Sequence, residues 1–226
     1  MATPWLLAYL VRMTTVQRRA FNDQVTRFWG RAAKAYDWAP LQQWVYRPAQ
    51  DEMIALLRQH GSQGVVDIAC GTGILATRIQ EELGPERVHG VDMSEGMLAQ
   101  AKARSALVDW QFAPAEKLPF DDGALDAVVS TSAFHFFDQP AALAEFHRVL
   151  APGGFTAITT FTPDRASAPI LRRVFGDRVP ASVPSKAEMR QMFEIAGFEV
   201  AVQRPVRHPF TLPFVEFDRL TVGIKQ

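Results

Sequence analysis

One cysteine, Cys70, stands in 226 residues. An internal disulfide framework is therefore excluded, and a reducing compartment, the cytoplasm, is expected. There is no charge surplus either. Lys+Arg and Asp+Glu both number 24, so the formal net charge is zero. A nucleic-acid binder usually carries a basic excess, and no nucleic-acid partner is expected here. Long apolar runs are missing too. The stretch Pro4 to Val11 is apolar for eight residues, where a membrane span needs about 20. No cleavage site of small residues follows it, which argues against a secretory signal. It reads as a helix packing on the domain or on a partner. A shallow membrane-surface contact through residues 4–11, which would make the protein membrane-peripheral, or a lid over a substrate site are the alternatives. No repeat and no low-complexity tract occurs, and no metal is expected.

What is present is alternation. Residues 1–60 read as mostly helical, with Val16, Phe21, Val25, Phe28 and Trp29 on one face. Pro40 is expected to break this region, because the residue before a proline avoids the helical conformation. A second helix follows from Ala49 to His60, with Pro48 in its first turn and Gly61 closing it. From Gly64 strands and helices alternate. Strands are expected at 64–69, 87–91, 108–112, 125–131 and 155–160, and helices at 74–83, 95–104 and 139–150. The stretch Ala151-Pro152-Gly153-Gly154 reads as a tight turn. A helix over Lys186 to Ala196 and closing strands at Phe198–Val202 and Leu220–Lys225 complete the pattern. The class is α/β: a Rossmann-like, seven-stranded, mostly parallel sheet with helices on both faces and an antiparallel C-terminal edge. Residues 1–60 would form a helical lid or cap. Residues 61–226 would form the ligand-binding domain, with a proline-rich insertion over the substrate at about 161–185.

The chemistry concentrates where strands meet turns. Val65-Val66-Asp67-Ile68-Ala69-Cys70-Gly71-Thr72-Gly73 reads as a buried strand running into a two-glycine turn. Gly71 and Gly73 lack a Cβ and allow a ligand close to the backbone. The helix that follows offers free N–H groups to a carboxylate, and Asp67 suits an ammonium group. Asp92, nineteen residues past Gly73, ends the second strand, where a carboxylate accepts hydrogen bonds from ribose hydroxyls. Met93 can lie against an adenine face, and Ser94 caps the next helix. A carboxylate, an ammonium and a ribose together point to S-adenosylmethionine (SAM). Gly71-x-Gly73-x-x-Ala76 also fits the dinucleotide fingerprint, so an NAD(P)-dependent oxidoreductase is the rival reading. Asp67, which would face a pyrophosphate, and the long helical stretch before the motif weigh against it. Cys70 reads as a small packing residue.

Two further motifs follow in order: Ala113 to Phe120, and Val128-Val129-Ser130-Thr131-Ser132-Ala133-Phe134-His135. With these the chain resembles the class I SAM-dependent methyltransferases, notably the small-molecule branch with the ubiquinone and menaquinone C-methyltransferases, over residues 64–160. The resemblance implies that Ala69, Gly71 and Gly73 hold the methionine end and Asp92 the ribose. It implies that Ala115 and Glu116 lie beside the adenine and that Ser130 and Thr131 lie near the sulfonium. S-adenosylhomocysteine (SAH) would be the product. Many family members have an Asp where this chain has Pro114, so backbone groups would replace it. That departure lends slight support to a third reading, a SAM binder without catalysis. His135 is a candidate general base, with a packing role as the alternative. His147 reads as a surface or packing residue. His208 lies in the C-terminal segment, within reach of the pocket but not expected there. Tyr36, in a Tyr-Asp pair similar to one in the family, would close over SAM. Trp5, Tyr9, Trp38, Tyr46, Phe161 and Phe175 fall in the regions that build the family's substrate pockets, which favours a small, apolar or aromatic acceptor methylated by in-line displacement.

Overall fold

The computed structural model describes residues 37–161, 183–209 and 218–226. Tyr36, the 4–11 stretch and most of the insertion lie outside the described residues. So does most of the region read as a lid.

The described chain begins in a turn at Asp37 and enters helix at Ala39. A short turn α1 (Ala39–Leu41) runs through a π-helical stretch (Gln42–Tyr46) into α2 (Arg47–His60). Asp37 and Trp38 are non-helical, within the expected break, but Ala39 is helical: Pro40 occupies the first turn of α1, where a missing N–H matters least. The wider π stretch lies just before Pro48, which cannot donate back to the preceding turn. Gly61 ends α2 in the left-handed conformation, φ 62°.

β1 (Gly64–Ile68), α3 (Ile74–Leu83), β2 (Arg87–Asp92), α4 (Glu95–Arg104) and β3 (Asp109–Phe112) follow. After them come β4 (Leu125–Thr131), α5 (Gln139–Val149), β5 (Leu150–Phe161), α6 (Lys186–Ile195), β6 (Phe198–Pro205) and β7 (Asp218–Lys225). The sheet order is β3-β2-β1-β4-β5-β7-β6. The first five strands pair in parallel, and β7 runs antiparallel to both β5 and β6.

β1 is buried at all five positions because both its faces are covered. Val65 packs with Met53, Leu57, Leu75 and Ile79 of α2 and α3. Val66 and Ile68 face the other way, toward Leu143, Phe146, Met189 and Phe193 of α5 and α6. The expected turn at 151–154 is instead a bulge within β5. Pairing passes from Leu125↔Leu150 to Ala127↔Phe155, so two steps on β4 match five on β5. Gly153 absorbs the kink at φ 78°. A side chain on Gly154 would meet the Ala151 and Asp126 carbonyl oxygens at 2.9 Å.

Candidate functional site

Strand order reverses between β1 and β4, and a cleft opens there past their carboxyl ends. This is where open α/β sheets bind ligands. Ala69, Gly71, Asp92, Met93, Ala115, Glu116 and Thr131 line it, with Tyr46, Ser94, Met97, Ser132, Phe136 and Phe137. Asp67, Gly73, Ser130 and His135 stand outside this lining.

Asp92 is fixed from two sides. Gly71 N–H donates to Oδ2 at 2.9 Å, and Ser94 N–H donates to Oδ1 at 2.8 Å. Ser94 Oγ in turn accepts from Met97 N–H at 3.3 Å, capping α4. Burial raises the Asp92 carboxyl above its ordinary range, and backbone N–H groups of Gly71, Ser94 and Met93 pull it back. Each oxygen keeps acceptor capacity for a ligand hydroxyl at the cleft.

Asp67 lies behind the glycine turn, only 2% exposed. Burial and then the nearby Asp92 charge hold its carboxyl well above the usual range; an Ala76 N–H in the first turn of α3 opposes them. Asp67 thus stands one layer behind the cleft lining, against the first turn of α3. Burial likewise pushes the Cys70 thiol well up, so it packs and does not act as a nucleophile.

Gly73 has a different partner from the one expected. A Cβ there would lie 2.4 Å from the Trp110 ring and 2.9 Å from Ala101. The missing side chain makes room for a tryptophan. Ser130 is also spent internally: its hydroxyl donates to the Ile68 carbonyl at 3.0 Å and is fully buried. It ties β4 to β1 just below the cleft.

Beyond β3, Lys117 N–H closes a turn on the Pro114 carbonyl at 3.1 Å. Glu116 Oε1 accepts from Asp138 N–H at 2.7 Å, pinning the turn to the start of α5. On the other wall, Ser132 N–H donates to the Thr159 carbonyl at 3.0 Å. Ser132 and Ala69, at φ 53° and 55°, are the non-glycine residues with positive φ among the described residues, and both line the cleft. Such strain persists where the surroundings over-determine it, and it gathers at functional sites.

His135 lies in a 3-10 turn (Phe134–Phe136), its ring centroid 4.0 Å from that of Phe136. Its Nδ1 is buried without a hydrogen-bond partner, and burial pushes its pKa down to about 4. Burial disfavours the imidazolium there, and the ring packs on Phe136.

A clamp that the sequence did not reveal joins the N-terminal side to the glycine turn. Thr72 Oγ1 donates to Asp37 Oδ1 at 2.5 Å, Arg104 Nη2 donates to Asp37 Oδ2 at 2.6 Å, and Arg104 Nε donates to the Thr72 carbonyl at 2.8 Å. Arg104 lies 67 positions from Asp37, and no local pattern signals such a pairing. Met97 and Ser132 also escaped notice, Met97 because it looks like any apolar helix residue.

Comparison with known proteins places this geometry among relatives. Residues 65–154 match the methyltransferase domain family. A demethylmenaquinone methyltransferase of Thermus thermophilus is 34% identical over 174 residues, which cover 65% of this chain and 79% of that protein. A malonyl-[acyl-carrier protein] O-methyltransferase of Serratia marcescens is 32% identical over 149 residues, 66% of this chain. The chain spans little more than half, 56%, of that longer relative. A solved SAM-dependent methyltransferase from Thermotoga maritima shares the fold at TM-score 0.68 and 24% identity, over 88% of this chain and 99% of that one.

Proposed function

We propose, for a chain that belongs to the class I SAM-dependent methyltransferases, a specific division of labour at the cleft and a small, apolar, ring-bearing acceptor. The methyl donor is SAM, whose sulfonium supplies an activated methyl group for in-line displacement. The residues present suit it. Asp92 would take the ribose hydroxyls, with its orientation set by Gly71 and Ser94. Met93 and Ala115 flank an apolar slot for the adenine, with Glu116 at its edge. Ala69 and Gly71 give a backbone turn for the methionine end, and Thr131 stands at the end of β4 near the reacting centre. Tyr36 would cover the donor from the N-terminal side. Asp37, two short bonds from the glycine turn, supports that placement.

Tyr46, Phe136 and Phe137 line the same cleft and favour a flat apolar acceptor over a charged one. The relative with the larger covered share is named for a quinone substrate, which agrees. The chain's work is alignment and exclusion of water; that needs no deep acid–base pair unless the acceptor must lose a proton. A lone, buried and free Cys70 favours the cytoplasm. No helix among the described residues is long and apolar enough to cross a membrane.

The observation that carries this reading is Asp92, a carboxylate held open at the cleft by two backbone donors. Radiolabelled SAM tests it, with naphthohydroquinones and a malonyl thioester as acceptors. Label is expected in the hydroquinones, and Asp92→Ala is expected to lower kcat/KM by about 100-fold. Transfer at the wild-type rate in that variant would remove Asp92 from the donor site.

A further inference from the structure

The glycine turn is held from its outer side as well as from the sheet. Ala69, Gly71 and Gly73 all have positive φ, at 55°, 56° and 80°. Glycine has little preference for one such path over another, and Ala69 adopts it under strain. Bonds from outside the turn must therefore fix its conformation. On the sheet side, Cys70 N–H donates to the Val91 carbonyl at 3.1 Å, and Gly71 N–H donates to Asp92 at 2.9 Å. On the outer side stands Thr72, which is fully buried. Its carbonyl accepts from Arg104 Nε, and its hydroxyl donates to Asp37.

Arg104 is the last residue of α4, and Ser94 caps the start of the same helix. Ser94 N–H donates to Asp92 Oδ1. One helix therefore grips the turn and its neighbouring acid from both ends, at Asp92 through Ser94 and at Thr72 through Arg104. The guanidinium divides its donors: Nε meets the Thr72 carbonyl at 2.8 Å, and Nη2 meets Asp37 Oδ2 at 2.6 Å. Asp37 closes the ring by taking the Thr72 hydroxyl on its other oxygen. A planar fork suits two partners at once; an ammonium is a single point of charge. With side chains 32% and 27% exposed, the Arg104–Asp37 pair adds little to stability by itself. Arg104 is also absent from the cleft lining, so it can reach a ligand only through the turn.

We infer that Arg104 is a positioning residue for the methyl donor: it acts through the Thr72 carbonyl, and Asp37 is the counter-charge that aims it. This rests on the methyl-transfer reading above. A ligand that needs one conformation of a turn binds more weakly in proportion to how seldom that conformation is populated. Arg104 keeps the turn in the binding conformation before the donor arrives, so the donor does not bear the cost of ordering it. The clamp thus sets donor affinity, not the methyl-transfer step itself.

The test is calorimetry of the full chain with SAH, which reads both Kd and the fraction of chains that bind. Arg104→Leu should weaken SAH by about tenfold, and Arg104→Lys and Asp37→Asn by about fivefold each. The binding fraction should stay near that of wild type. Asp37→Asn/Arg104→Leu should lose about tenfold, not the fiftyfold of independent sites, because both changes open one clamp. Arg204→Leu is the control. It breaks an ion pair with Glu52 of the same 2.6 Å length, and neither partner lines the cleft. Its SAH affinity should stay within about twofold of wild type. Wild-type affinity in either Arg104 variant overturns the proposal. So does a lower binding fraction at unchanged Kd, the mark of a merely structural role, and so does an equal loss in Arg204→Leu. In each of those cases wild type still binds SAH, and the methyl-donor reading stands. Failure of wild type to bind SAH overturns both. If Arg104→Leu does not fold, Arg104→Lys decides, because it keeps the charge and the chain length and removes only the fork.

Discussion

Asp92 ends β2 and His135 follows the end of β4, and both are half-buried, yet burial acts on them in opposite senses. Asp92 meets backbone donors and faces the cleft. His135 has a buried nitrogen with no partner, and its pKa falls to about 4. In the unfolded chain the ordinary value is about 6.5. As pH falls below 6.5 the unfolded state binds a proton that the folded state refuses, so stability declines. The decline ends near pH 4, below which both states are protonated. The gap between those two values corresponds to at most about 3.4 kcal/mol. The raised carboxyls of Asp67 and Asp92 act in the other direction, since their folded forms hold protons more readily. Urea midpoints of wild type and His135→Phe at pH 7.5 and pH 4.5 separate the terms. The wild type should lose about 1–3 kcal/mol more than the variant on acidification. Equal losses would show that His135 protonates freely in the fold. A motif position can nominate such a histidine as a base, but only its surroundings reveal that it stays neutral. Asp92, in contrast, was legible, because an acid at the end of a strand after a glycine turn has few other uses.

Trp110 of β3 lies across two glycines, its register partner Gly90 on β2 and Gly73 at the start of α3. Its Nε1–H donates to the Ser105 carbonyl at 2.9 Å, which fixes the ring. A Cβ on Gly90 would sit 2.3 Å from that ring, and on Gly73 2.4 Å, where φ is also +80°. Gly90→Ala should therefore cost about 2–3 kcal/mol by overpacking. In Gly90→Ala/Trp110→Leu the penalty should be smaller than the sum of the single losses by about 1 kcal/mol or more. Gly73→Ala should gain less from the same partner change, because its backbone strain stays. Chemical denaturation of the three single variants, the two doubles with Trp110→Leu and wild type measures this, and strict additivity would contradict the steric account. These glycines show where reading a sequence stops. Strands and helices were legible from period and burial, as in the continuous apolar run of β1. That a missing Cβ serves a tryptophan 37 positions away is a tertiary fact with no local mark. The 151–154 stretch misled for a related reason. It carries a strong turn signal, yet a bulge lets β5 continue through the glycines.

At the scale of the whole molecule, the described residues form two core clusters, one on each face of the sheet, and the cleft opens where strand order reverses. A ligand there touches the ends of β1, β2 and β4 together, along with the π stretch through Tyr46. It also lies against the turn that the Asp37–Arg104 clamp holds to α4. Binding should therefore stabilise the fold as one unit. For a ligand that binds only the folded state, saturation at 100 times Kd adds about 2.7 kcal/mol. In a domain of this size that corresponds to a Tm rise of about 5–10 °C. SAH should produce it, and Asp92→Ala should need roughly 100-fold more SAH to reach the same rise. NADH separates the rival glycine-turn reading, because a dinucleotide site would respond to it and this cleft should not. A rise with NADH and none with SAH would overturn the assignment of Asp92 and the turn at Gly71 to the methyl donor. The outcome does not depend on knowing the acceptor, so donor binding can be judged on its own.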